Sequence, residues 1–224
     1  MSSPVVSNEM YVVLGATGHT GSIVANFLLS KGQKVRVIGR DTGRLQRFVD
    51  KGAEAFTADL SDAAALAKAF SGARAAYLLL PPAKSPEEQE RDSDAVAKAV
   101  RESGLRYAVH LSSYGAQVAK GAGPVSGLHS SEQKLNAISG LNVLHVRAAY
   151  FMENNLAAIG MIHHMGIFGN ALLPDLRPGG LGSSSACRAR TEQLGVWRPA
   201  TQLPTRCAAA HSPCAAVPAS PVGA

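Results

Sequence analysis

Residues 11–40 read YVVLGATGHTGSIVANFLLSKGQKVRVIGR, and this stretch decides the fold. Tyr11–Leu14 is a short apolar run. Gly15, Gly18 and Gly21 follow at three-residue spacing. Ile23, Phe27 and Leu28 then recur with helical period, and Lys34–Ile38 is a second run rich in β-branched residues, followed by the cation Arg40. Strand, glycine turn, helix and strand, in that order, are the setting in which three glycines read as a dinucleotide fingerprint; without it they are an ordinary turn. Gly15 turns the chain off the strand through backbone angles closed to other residues. The missing Cβ of Gly18 lets a pyrophosphate approach the backbone, and that of Gly21 lets the helix pack closely on the strand. The first-turn amides and the positive end of the helix dipole then face the phosphates. The expected contacts are Gly15, Thr17, Gly18, His19, Thr20 and Gly21.

Outward from this unit, strands and helices alternate. Ala53–Thr57 reads as a third strand and Ser61–Phe70 as a helix. Ala75–Leu80 is continuously apolar, as a strand covered on both faces should be. Pro81 and Pro82 end it. Ser85-Pro86-Glu87-Glu88 opens a helix, with Ser85 as cap, Pro86 in the first turn and acids at the positive end of the dipole. That helix runs through Val96 and Val100 toward Gly104. Tyr107–Leu111 is strand five, Ser126–Ser139 a helix, Asn142–Val146 strand six, and Glu153–Met165 a further helix. Repeated βα units predict a doubly wound parallel Rossmann sheet, α/β in class, with helices on both faces and strand order 3-2-1-4-5-6.

The chain has 224 residues and a formal charge of +6, but the charge is uneven. Residues 177–224 hold five arginines against one glutamate, so the body is nearly neutral and does not point to nucleic acid. No signal-peptide pattern opens the chain, and Ala75–Ala83 is too short to cross a bilayer. With no cysteine in residues 1–176, the expectation is a cytoplasmic protein without a membrane partner.

After Leu176 the composition shifts. The last 48 residues lack Lys, Asp, Asn, Ile, Phe, Tyr and Met, yet hold six of the twelve prolines and all three cysteines. No segment there has period 2 or 3.6, and such a stretch cannot bury enough apolar surface to offset its ordering entropy. An irregular, disordered tail over 177–224 is expected. Its bias toward Arg, Pro, Ala, Ser and Cys also matches out-of-frame translation of GC-rich DNA, so a frame disruption near Leu176 is a further expectation. Cys207, His211 and Cys214 lack paired-cysteine spacing and a clear fourth ligand, and His163 and His164 point to different sides of a helix; no metal is expected.

Arg40, just past strand two, is placed to hold a ribose 2′-phosphate by paired, charge-assisted hydrogen bonds. Asp41 competes for this site, because an acid at this distance binds a 2′-hydroxyl instead; it is equally a helix cap before Thr42. The balance favours NADP(H) over NAD(H). Asp59-Leu60 ends strand three within reach of an adenine edge, with Asp59 or Ser61 as a helix cap in the competing reading.

The body resembles the NmrA-like branch of the atypical short-chain dehydrogenase/reductase family. The resemblance rests on GATGHTG (Gly15–Gly21), VRVIGR (Val35–Arg40), ADLSD (Ala58–Asp62), LLLPP (Leu78–Pro82), LSSYGA (Leu111–Ala116), HSSEQKL (His129–Leu135) and VRAAYFMENN (Val146–Asn155). It implies an NAD(P)-binding Rossmann domain over 1–176, with a substrate region that starts near Phe168 and stops at about Leu176. It also implies that Leu80 and Pro81 sit beside the nicotinamide ribose. Members include NADPH-dependent quinone and other reductases, and also redox-sensing regulators that bind a protein partner. A truncated, inactive member is a third expectation. The wider family uses Ser, Tyr and Lys, with Tyr and Lys four apart on one helix face. Here Ser112 fills the serine position and Lys134 the lysine position, but Ser130 stands where tyrosine belongs. Tyr114, His129 and Tyr150 are the candidate substitutes. The catalytic candidates are Ser112, Tyr114 and Lys134, with Lys134 also a ribose contact.

Overall fold

The computed structural model describes residues 9–119 and 123–149, with scattered positions between 151 and 164. The described elements are β1 (Met10–Leu14), α1 (His19–Ser30), β2 (Lys34–Gly39), α2 (Thr42–Val49), β3 (Glu54–Thr57), α3 (Ala63–Phe70), β4 (Ala73–Leu79), α4 (Pro86–Ser103), β5 (Tyr107–Ser113), α5 (Ser126–Asn136) and β6 (Asn142–Ala148). All strand pairs are parallel. Their order is β3-β2-β1-β4-β5-β6, the order expected from the sequence.

Two apolar layers sandwich the sheet. On one face Val13, Val35 and Val37 pack with Val24 and Ala25 of α1 and Leu45 and Phe48 of α2. On the other, Val12, Leu14, Ile38, Ala76 and Leu78 meet Leu66 and Phe70 of α3, Val96 and Val100 of α4 and Leu135 of α5. Alternate residues of one strand therefore feed opposite layers, as the period of two requires. Helix α4 starts on Ser85, whose hydroxyl accepts from the Glu88 amide at 3.2 Å, and ends on Gly104 in the left-handed region at φ 67.

Several boundaries differ from the sequence reading. Helix α3 begins at Ala63 on an Asp62 cap, not on Asp59 or Ser61, because Asp62 accepts from the Ala65 amide at 2.9 Å. Strand β4 spans Ala73–Leu79, so Leu80 falls just beyond it. Helix α5 stops at Asn136. Most of Glu153–Met165, and all of the 177–224 tail with Cys207, His211 and Cys214, lie outside the described residues. No helix among the described residues is long and apolar enough to cross a membrane.

Candidate functional site

The glycine turn is built by three backbone bonds. Gly15, at φ +72, leaves β1 in the left-handed region. Its amide and that of Ala16 donate to the Ile38 carbonyl at 3.2 and 3.3 Å, which ties the turn to the end of β2. The Gly18 amide then donates to the Gly15 carbonyl at 3.0 Å. A Cβ on Gly21 would overlap that same Gly15 carbonyl, so helix α1 approaches the turn only as glycine. Gly18 differs. A Cβ there would meet Gly15 O at 3.4 Å and Leu79 Cδ2 at 3.9 Å, which is ordinary contact. The protein itself does not demand glycine at 18, whereas a phosphate lying over the backbone does.

Helix α1 starts with no side-chain cap and no acid in its first turn. By contrast α2, α3 and α4 are capped by Asp41, Asp62 and Ser85. Of the expected contacts, His19 is exposed, Thr17 half-buried and Thr20 buried. Unpaired first-turn amides beside a glycine turn fit a dinucleotide pyrophosphate. The sequence reading missed Leu79. Its side chain forms the floor of the turn, with Cδ2 2.9 Å from where a Gly15 Cβ would sit. Leu80 points into the opposite layer and is buried, and Pro81 is exposed beyond it.

Arg40 is exposed just past β2. Asp41 is a helix cap, its carboxylate accepting from the Arg44 amide at 3.2 Å. Asp59 accepts from the Ser61 hydroxyl at 2.7 Å and the Ser61 amide at 2.9 Å. Those two bonds hold its carboxyl below the usual aspartate range, with the charges of Arg40 and Arg91 adding to them. Arg91, on α4, is a second cation facing this carboxylate that sequence spacing did not disclose. Leu60 packs against the α3–α5 layer.

The catalytic candidates do not converge. Ser112 is buried and donates its hydroxyl to Glu132 Oε1 at 2.5 Å. Glu132, only 1% exposed, is forked by Arg147 at 2.9 and 2.5 Å. Burial pushes its carboxyl up, but the Arg147 and Ser112 hydrogen bonds outweigh burial and hold it below the usual glutamate range. Lys134 instead reaches α4, with Nζ 2.6 Å from both Glu90 and Asp94. Burial works against its charge, and these two carboxylates more than offset it, so its pKa is raised. Ser130, in the tyrosine position, donates to Glu90 at 3.0 Å. His129 bonds the Ala116 carbonyl at 2.7 Å and so holds the loop after β5. Tyr114 is 64% exposed, its amide donating to Ala148 O at 2.7 Å. Tyr150 lies outside the described residues. Among the described residues no group of three or more His, Cys, Asp or Glu is placed to hold a metal.

A parallel sheet in this order, with a glycine turn opening an uncapped helix at the end of its first strand, defines a Rossmann-type domain. The NmrA-like family model matches residues 7–167, and the chain belongs to that family. Among solved structures, Citrobacter sp. triphenylmethane reductase is 21% identical, with TM-score 0.61, over 69% of this chain and 54% of that one. An NADPH-dependent quinone oxidoreductase from Escherichia coli, complexed with NADPH, is 23% identical with TM-score 0.58, over 70% of this chain and 54% of that one. A vestitone reductase from alfalfa is 18% identical with TM-score 0.53, over 63% and 57%. The chain thus spans about half the length of these relatives. No curated protein sequence matches it.

Proposed function

We propose that the chain binds a nicotinamide dinucleotide at the β1–α1 turn, NADP(H) in preference to NAD(H), and serves an NADPH-dependent reduction of a quinone or carbonyl-like substrate. The observation that carries this reading is the uncapped start of α1 beside Gly15 and Gly18, with Arg40 exposed one strand away. The triphenylmethane reductase is also known complexed with NADP(H), and the quinone oxidoreductase with NADPH, which supports the same cofactor here. The bound cofactor would supply the hydride. The protein's share is to seat the pyrophosphate on the α1 amides, to grip a 2′-phosphate through Arg40 and to floor the turn with Leu79. Of the three catalytic candidates, Tyr114 alone presents an exposed hydroxyl-bearing side chain, and we assign it the proton donation.

Calorimetric titration with NADPH and then NADH tests the binding reading. Tight NADPH binding and at least about tenfold weaker NADH binding are expected. No binding of either by folded protein overturns it. NADPH oxidation on adding a quinone then tests turnover. Binding without turnover, together with a protein partner that distinguishes NADP⁺ from NADPH, would select the regulator reading, which the Ser130 replacement supports.

A further inference from the structure

Strands β5 and β6 pair in register His110↔His145, so two imidazoles stand side by side on the face that α5 covers. Their Nδ1 atoms are 3.0 Å apart and the rings meet edge to face. His145 Nε2 lies 3.1 Å from Asn136 Oδ1 at the end of α5. His110 Nε2 lies 3.5 Å from the Ser131 hydroxyl, one turn earlier on the same helix. His110 has no exposed surface.

With Asn136 Oδ1 turned toward His145, one set of protons satisfies every bond. The Asn136 oxygen only accepts, so His145 carries its proton on Nε2 and presents a lone pair at Nδ1. His110 must then donate from Nδ1, which leaves its Nε2 as acceptor for Ser131. The result is one directional chain, Ser131 to His110 to His145 to Asn136, in which both rings are neutral. A gap of 3.0 Å between two nitrogens holds one proton and not two. With one proton in that gap, a first added proton leaves His110 protonated at Nε2 whichever ring holds the charge, and turns Ser131 from donor to acceptor. A second forces the rings apart.

We propose that this chain is a proton-sensitive latch, which holds α5 and β6 on the sheet while both histidines are neutral and releases them when the rings take up protons. The charged groups facing the pair are Glu132 of α5 and Arg147 of β6, and they oppose each other. Burial, then the neighbouring His145 charge, pushes His110 down to about 4, with Glu132 pulling the other way. His145 is lowered too, by burial first and by Arg147, against Glu132. Both folded values lie below the ordinary 6.5, so the latch is fully closed above that pH and weakens as pH falls toward about 4. The latch works whatever the glycine turn binds.

Two measurements on the full chain, without cofactor, decide it. Imidazole nitrogen–proton correlation spectra at pH 7.5 should show His110 as the Nδ1–H tautomer and His145 as the Nε2–H tautomer; any other pairing overturns the proposal. Hydrogen exchange, corrected for intrinsic rate, should show protection of α5 and β6 falling about tenfold more than that of β1 and β2 between pH 7 and pH 5. His145→Gln should make this difference clearly smaller, leaving the part that buried His110 contributes alone. An equal fall in all four elements, or the same fall in His145→Gln, overturns it. Should His145→Gln not fold, the tautomers and the wild-type exchange profile still decide.

Discussion

Ser112 and Glu132 form a 2.5 Å hydroxyl–carboxylate bond wholly inside the protein, and Arg147 completes it from β6. Three elements are thereby pinned through one carboxylate. A buried charge stripped of its partners is costly, but removing the charge itself leaves the Ser112 hydroxyl, which is neutral, and Arg147, whose side chain is 43% exposed and can turn to water. Glu132→Ala should therefore cost about 2–3 kcal/mol in denaturant unfolding, and Arg147→Ala, which leaves the carboxylate buried, about 3–5 kcal/mol. A larger loss for Glu132→Ala than for Arg147→Ala would contradict this account. Because the folded pKa lies below the ordinary 4.5, the Glu132 contribution is present above that pH and is lost as pH falls through the folded value.

Much of this architecture is written locally. Tyr11–Leu14, Val35–Ile38 and Ala75–Leu80 carry their apolar pattern in consecutive residues, and Gly15, Gly18 and Gly21 mark the turn, so strand order and cofactor end follow. The polar network does not follow, because Ser112, Glu132 and Arg147 meet only once β5, α5 and β6 are docked. His110 and His145 likewise face each other through sheet register, 35 residues apart. Single-residue offsets had the same effect on a smaller scale. Asp59, Ser61 and Asp62 are all plausible caps, and only the backbone shows that Asp62 holds α3 while Asp59 folds back on Ser61. Leu79 and Leu80 are adjacent and apolar, yet one floors the glycine turn and the other lies in the opposite layer.

The glycines at 18 and 21 should separate folding from binding. Gly21→Ala drives a methyl group into the Gly15 carbonyl, which is backbone and cannot step aside. It should destabilise the chain by about 2 kcal/mol or more. Gly18 has φ −81, and its substituent would meet only Gly15 O at 3.4 Å and Leu79 Cδ2 at 3.9 Å. Gly18→Ala should shift stability by less than about 1 kcal/mol while weakening NADPH at least about tenfold. Thermal melts paired with calorimetry check both. Unchanged NADPH affinity in a folded Gly18→Ala protein would remove the pyrophosphate from this turn.

Arg40 and Asp41 are neighbours with separable duties. Arg40→Ala removes an exposed guanidinium and should weaken NADPH about tenfold or more with little change for NADH. Asp41→Ala removes the cap on the Arg44 amide and should cost about 1 kcal/mol of stability, leaving the preference between the two cofactors unchanged. Equal losses of NADPH and NADH affinity in Arg40→Ala would place the 2′-phosphate elsewhere, and Arg91 beside Asp59 would be the next cation to replace.

Lys134 presents the sharpest choice between a family role and a local one. Its ammonium bridges Glu90 and Asp94, one helical turn apart on α4, and thereby clamps α5 to α4. Both carboxylates are largely exposed, at 49% and 65%, so Lys134→Met should cost only about 0.5–1 kcal/mol. The raised lysine pKa means this contribution is complete below the ordinary 10.5 and is lost as pH rises through the folded value. With its ammonium held on α4 by these ion pairs, Lys134→Met should leave the NADPH dissociation constant within about twofold. A weakening of about tenfold, with stability unchanged, would mean that Lys134 abandons Glu90 and Asp94 when the cofactor arrives.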